Sequence, residues 1–147
     1  MSGITFAMKR TIAATSLGLA GVGVGSAFAA HADLVFITAA WTAMFIKLAD
    51  QAGKSLEKNQ AMKLVAGVLV GVGCFAAGFK LANTALAYTA FGTLPAMVLN
   101  ASINALMTWL VGRAWAHVLI EGDAEQSVDS LVRAMVAAVL GTGVATA

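Results

Sequence analysis

Charged residues divide this chain into long apolar intervals. The longest runs from Leu81 to Gly112 and holds the sole proline, Pro95, close to Gly92 and Thr93. A soluble domain of 147 residues seldom hides so much apolar surface, whereas a bilayer requires it. The break at Pro95 splits the run between two helices joined by a turn. An earlier uncharged interval, Thr11 to Ala30, is long enough to cross ~30 Å of hydrocarbon as a helix. His31 to Ala52 follows, with an uncharged core from Leu34 to Ile46 between Asp33 and Lys47. That core is short for a lone span, but Lys47 can snorkel and the helix can pack beside the first. Gly53 to Asn59 is a polar loop carrying Lys54, Glu57 and Lys58, and Gly53 suits a helix C′ position.

The third helix is expected from Gln60 to Ala87, with Lys80 inside its apolar run. The fourth runs from Pro95 to Ile120, with Thr93 as a cap and Pro95 in the first turn. After Glu121-Gly122-Asp123, the segment Ala124 to Leu140 reads as amphipathic. Val128, Leu131, Val132, Met135, Val139 and Leu140 share one face, and Asp123 with Gln126 suits a capping box. This last helix is expected to lie on the membrane or on a neighbour, not across the bilayer. The prediction is one all-α integral membrane domain over residues 1–147, with helices at about 8–30, 31–52, 60–87, 95–120 and 124–140. They form two antiparallel transmembrane or re-entrant helical hairpins plus a C-terminal amphipathic helix.

Composition sharpens this picture. Hydrophobic residues make up 60% and charged residues 11%, against ~45–50% and ~25% in ordinary soluble domains. The net charge of +2 is too small to suggest nucleic acid, and no basic stripe interleaves with aromatics, so no nucleic-acid partner is expected. A single cysteine, Cys74, rules out an intrachain disulfide and a zinc cluster. The 15 glycines are placed to matter. Gly21 and Gly25 have GxxxG spacing, and Gly67, Gly71 and Gly78 fall close to one face of the third helix. Such faces let helices approach closely in lipid, and the sharper reading makes them a subunit interface.

Lysines set the orientation. Lys9 and Arg10 precede the first helix core; Lys54, Lys58 and Lys63 lie between the second and third. The positive-inside rule puts both places, and both termini, in the cytoplasm. The hairpin tips then fall near residues 26–33 and 88–95. A rival reading takes Met8-Lys9-Arg10, the apolar stretch and Ala27-Phe28-Ala29 as a cleaved secretory signal.

Polar residues inside the apolar helices are the candidate functional positions. Asn100, Asn104 and Thr108 recur every four residues. They predict either interhelical hydrogen bonding or the lining of a polar path. Arg113, His117 and Glu121 repeat the spacing toward an interface marked by Trp109 and Trp115. Lys80 is interfacial if the span of the third helix ends near it; if the span runs on to Tyr88, Lys80 faces a partner carboxylate, with Asp33 the candidate, a lipid phosphate or water. The histidines, His31 and His117, fall at opposite hairpin ends and predict no metal or haem site. No nucleophile elbow or paired-carboxylate site is visible, and glycine-rich Gly18 to Gly25 lacks the lysine of a phosphate loop. The chain is read as non-enzymatic, with no catalytic, cofactor-binding or metal-binding residues.

The order of several short motifs resembles a family of bacterial membrane-hairpin domains often found C-terminal to Era/dynamin-like GTPase domains. The resemblance runs through Gly21-Val22-Gly23-Val24-Gly25, Ala32-Asp33-Leu34, Ile37-Thr38, Ala43-Met44 and Ile46-Lys47-Leu48-Ala49. It resumes in the glycine-rich third helix and ends at Asn104-Ala105, Thr108 and Val111-Gly112-Arg113-Ala114. It covers residues 15–125 and implies a bacterial inner-membrane module working with other subunits. The GTPase part is absent, and the first hairpin tip lacks the proline common in the family. The leading expectation is a homo-oligomeric structural or membrane-organising protein in a lipid bilayer. The rivals are a channel or transporter subunit with an Asn/Thr-lined path, and an anchor or accessory subunit for a GTPase or other membrane complex.

Overall fold

The structure is a computed structural model describing residues 3–25, 34–87, 93–122, 127–139 and 141, with the backbone alone described at 25, 73–87 and 93. It contains α1 (Phe6–Gly25), α2 (Leu34–Gln51), α3 (Lys58–Ala87), α4 (Thr93–Glu121) and α5 (Val128–Val139). No strand occurs among the described residues. The all-helical prediction is met, and the expected hairpin tips lie outside the described residues.

Local chemistry explains the helix ends. The Thr5 hydroxyl accepts the Met8 N–H at 3.3 Å and caps α1. At the end of α2, Gly53 has φ 70°, the Gly53 N–H reaches Asp50 O at 3.0 Å and the Lys54 N–H reaches Ala49 O at 2.9 Å. That pair of bonds is a Schellman ending, as the position of Gly53 predicts. The last helix differs from expectation. Ser127 is not helical, and its hydroxyl accepts the Ser130 N–H at 3.3 Å. Ser127 therefore caps α5, and the expected continuous helix over 124–140 gives way to a shorter one; Asp123 and Gln126 lie outside the described residues.

Contacts fix the helix directions. Asn100 lies beside Gly23, Asn104 beside Leu19 and Gly112 beside Ile12, so α1 and α4 are antiparallel. The Gln51 side-chain amide donates to Thr11 Oγ1 at 3.1 Å, which makes α1 and α2 an antiparallel hairpin. The Trp115 indole N–H donates to Phe45 O at 3.0 Å, and the Phe45 and Trp115 rings stack 5.1 Å apart. Phe45, Leu48, Leu64, Val68, Val111 and Met135 are all fully buried around this junction.

Helix α5 runs parallel to α3, with Val132 over Gly67 and Val136 over Gly71. Its apolar face thus meets a neighbouring helix, one of the two places expected for it. The small-residue face of α3 is filled within the chain at Gly67 and Gly71. Within the chain these two glycines form a packing face, on which the valines of α5 sit.

The start of α1, the end of α2, the start of α3 and the end of α4 share one end of the bundle. Lys9, Arg10, Asp50, Lys58, Lys63 and Glu121 each lie within about two turns of that end of their helix. Leu34–Gln51 and Leu94–Glu121 are long and apolar enough to cross a membrane.

A Cβ on Gly67 would sit 2.6 Å from a Val132 methyl, whereas one on Gly21 meets nothing within 4 Å. Gly67→Val is therefore expected to undock α5 and destabilise the fold by about 1–3 kcal/mol through overpacking. Gly21→Ala is expected to be neutral or to stabilise by up to ~1 kcal/mol through helix propensity. Thermal unfolding in mild detergent, with tryptic cleavage at Arg133 as the readout for α5, checks both.

Candidate functional site: a polar seam between three helices

The seam begins where α1 comes closest to α4. A Cβ built on Gly23 would lie 2.8 Å from Ala101 Cα, so these helices meet at backbone distance and only glycine fits. That approach brings the carbonyls of α1 within reach of α4 side chains. Asn100 Nδ2 donates to Gly23 O at 2.7 Å, and Asn104 Nδ2 donates to Leu19 O at 3.4 Å. Gly23 lies in the last turn of α1, where backbone carbonyls lack helical partners, so Asn100 acts as a cap supplied by another helix.

Helix α2 joins through a second link. Thr108 Oγ1 donates to Asn104 O at 2.7 Å and accepts from the Trp41 indole N–H at 3.0 Å. Asn100, Asn104 and Thr108 are 3%, 2% and 0% exposed, so the three polar groups are sealed between α1, α2 and α4. The remaining buried hydroxyls are satisfied nearby. Ser16 Oγ donates to Ile12 O at 2.9 Å and Thr42 Oγ1 to Thr38 O at 2.7 Å. Thr11 pairs with Gln51.

The stripe expected from the spacing of Asn100, Asn104 and Thr108 is thus a single structural unit, occupied by hydrogen bonds within the chain. The other expected positions behave differently. Arg113, His117 and Glu121 are exposed at the charged end of α4. The Arg113 guanidinium lies 4.6 Å from the Trp109 ring centroid, and His117 Nδ1 lies 3.7 Å from Glu121 Oε1. Gly21 is exposed and takes no part in the α1–α4 contact within the chain. The packing face of α1 instead carries Met8, Ile12, Leu19 and Gly23, and Gly21 points away from it. The side-chain surroundings of Gly25, Gly78 and Lys80, and the whole of Asp33, lie outside the described residues.

Three contributors escape sequence reading. Gly23 was visible as the continuation of the Met8, Ile12, Leu19 periodicity. Gly112 continues the four-residue spacing of the seam, and a Cβ there would lie 3.0 Å from Ile12 Cγ1 and 3.1 Å from Met44 Sδ. Trp41 carried no signal, since nothing in an apolar helix announces which hydroxyl an indole will find.

No three His, Cys, Asp or Glu residues come together among the described residues. Searches of protein-family models, curated proteins and solved structures find no match to this chain.

Asn100→Ala is expected to cost about 0.5–2 kcal/mol, the usual span for one interhelical hydrogen bond in an apolar surround. Gly23→Leu should cost more, because the backbone of α4 must move. A double-mutant cycle on Trp41→Phe and Thr108→Val, followed by unfolding in detergent, should return a coupling energy of ~0.5–1.5 kcal/mol. A coupling of zero would remove the indole–hydroxyl link.

Proposed function

We propose that this chain is a non-enzymatic integral membrane protein, a preassembled helical bundle that serves as a structural or organising unit of a bacterial inner membrane. One observation carries the reading: around an apolar core, large apolar side chains stand exposed on the outside while several amides and hydroxyls are buried with partners. The amides and hydroxyls of Asn100, Asn104, Thr108, Thr42 and Ser16 face inward. Leu17, Val35, Val70, Leu94 and Val98 are 65–79% exposed. In water that arrangement forgoes apolar burial; in lipid it leaves apolar side chains against acyl chains and polar groups with partners.

Burial of the two apolar helices supports the same reading. Only 39% of the residues of Leu34–Gln51, and 33% of those in the most apolar stretch of Leu94–Glu121, are buried. Core helices of a soluble domain would be enclosed. Between Leu94 and Arg113, α4 supplies ~28 Å of helix, close to the hydrocarbon thickness of ~30 Å. The lysine-rich end then faces the cytoplasm. Helix α1 is the partner that α4 grips, which favours its retention over removal as a signal.

For self-association, the exposed face of α1 that carries Gly21 is open to a second copy, whereas α5 packs against Gly67 and Gly71, and α1 and α2 cover the seam. The same closure argues against a polar path through one chain, because a lining side chain has to meet water. An anchoring role beside a partner complex is compatible with this unit and uses its outer surface.

The chain is expected to remain in the membrane pellet after an alkaline carbonate wash. In a Cys74→Ala background, Thr5→Cys and Ser55→Cys should react together with an impermeant maleimide added to one side of the bilayer. Release by carbonate, or labelling from opposite sides, would overturn the topology.

A further inference from the structure

We propose that a cavity at the charged end of the bundle binds one single-chain amphiphile with an anionic head, such as a fatty-acid carboxylate or a lysophospholipid phosphate. The cavity lies where the α2–α3 turn, the start of α3, the end of α4 and the start of α5 meet. Its volume is about 370 Å³, at the small end of the span usual for small-molecule sites, which suits one chain.

Its chemistry is two-sided. The inner wall is apolar and includes Leu64, Trp115 and Leu131. Leu64 and Trp115 are 0% and 3% exposed, so this wall is deep. Trp115 is also fixed: its ring stacks on Phe45 and its N–H is held by Phe45 O. It cannot swing to fill the space, and the cavity is preformed.

The mouth carries Lys54, Ser55 and Gln60. Lys54 Nζ donates to Gly122 O at 3.0 Å and has no carboxylate within ion-pair distance among the described residues. An ammonium has three N–H donors, so two remain for an incoming group. A cation at the opening of an apolar cavity suits an anion attached to hydrocarbon. A bare inorganic anion would leave the wall uncovered; a neutral lipid would offer the remaining N–H donors no charged acceptor. Interfacial charges surround this end, so a head bound at Lys54 sits at headgroup level while its chain enters the bundle. Only the source of the amphiphile rests on the bilayer reading; membrane loss in the carbonate wash tests that reading separately.

The test uses the full chain in phosphatidylcholine nanodiscs with photoactivatable palmitate and, separately, photoactivatable lysophosphatidylglycerol. Mass spectrometry then locates the adducts. The expected result is saturable labelling of cavity residues, competed by the unlabelled probe. Lys54→Gln should weaken it by roughly tenfold or more through loss of a charge-assisted bond. Leu131→Trp should abolish it by filling the space. Because Leu131→Trp also touches α5 packing, the half-exposed Lys54→Gln change keeps the test decisive. Labelling by palmitate alone assigns a carboxylate head, by the lysophospholipid alone a phosphate head, and by both a head chosen by charge. Adducts that do not saturate, spread evenly over the outer faces and ignore Lys54→Gln would overturn the proposal.

Discussion

An amide held away from water must find a partner on a neighbouring helix, and Asn100 and Asn104 find theirs on the backbone of α1. That requirement sets the rest of the architecture. The side-chain amides reach the carbonyls only because Gly23 lets α4 come in to backbone distance. Once α1 is drawn in, its carbonyls near Gly23 are satisfied, and the stripe continues through Thr108 to Trp41 on α2. Three helices are thereby joined by directional bonds. Directional bonds fix register, which non-directional apolar packing does less sharply.

The other side of the bundle is built by shape. Helices α3 and α5 meet as valines seated against glycines, with no hydrogen bond between them among those described. Small residues on one helix and branched ones on the other give close contact and a defined fit. Phe45 and Trp115 sit between the two regimes. Their stack is apolar packing, yet the indole N–H is bonded to the chain of α2, so both kinds of contact converge on one pair of rings.

Much of this was legible in the residue pattern. The five helices follow from charge spacing, and Gly53 and Pro95 mark a helix end and a helix start through their own backbone chemistry. The four-residue spacing of Asn100, Asn104 and Thr108 identified the seam. Its acceptors were not legible, because backbone carbonyls have no sequence signature. The GxxxG spacing of Gly21 and Gly25 was a poorer guide than the apolar stripe through Met8, Ile12 and Leu19, which points at Gly23. A motif marks a smooth patch, but the bulky neighbours decide which patch is turned inward. Gly67 and Gly71 lie against Val132 and Val136, a partner that their spacing could not name because it depends on how far α5 folds back.

That fold-back has a consequence for how the chain matures. Helix α5 is 12 residues long, ~18 Å, and runs alongside α3 from the charged end. At that length it depends on neighbours for its stability. Its seat is made by α3 and α4, so it exists only once those two helices have paired. The four longer helices can therefore come together first, with α5 latching on afterwards.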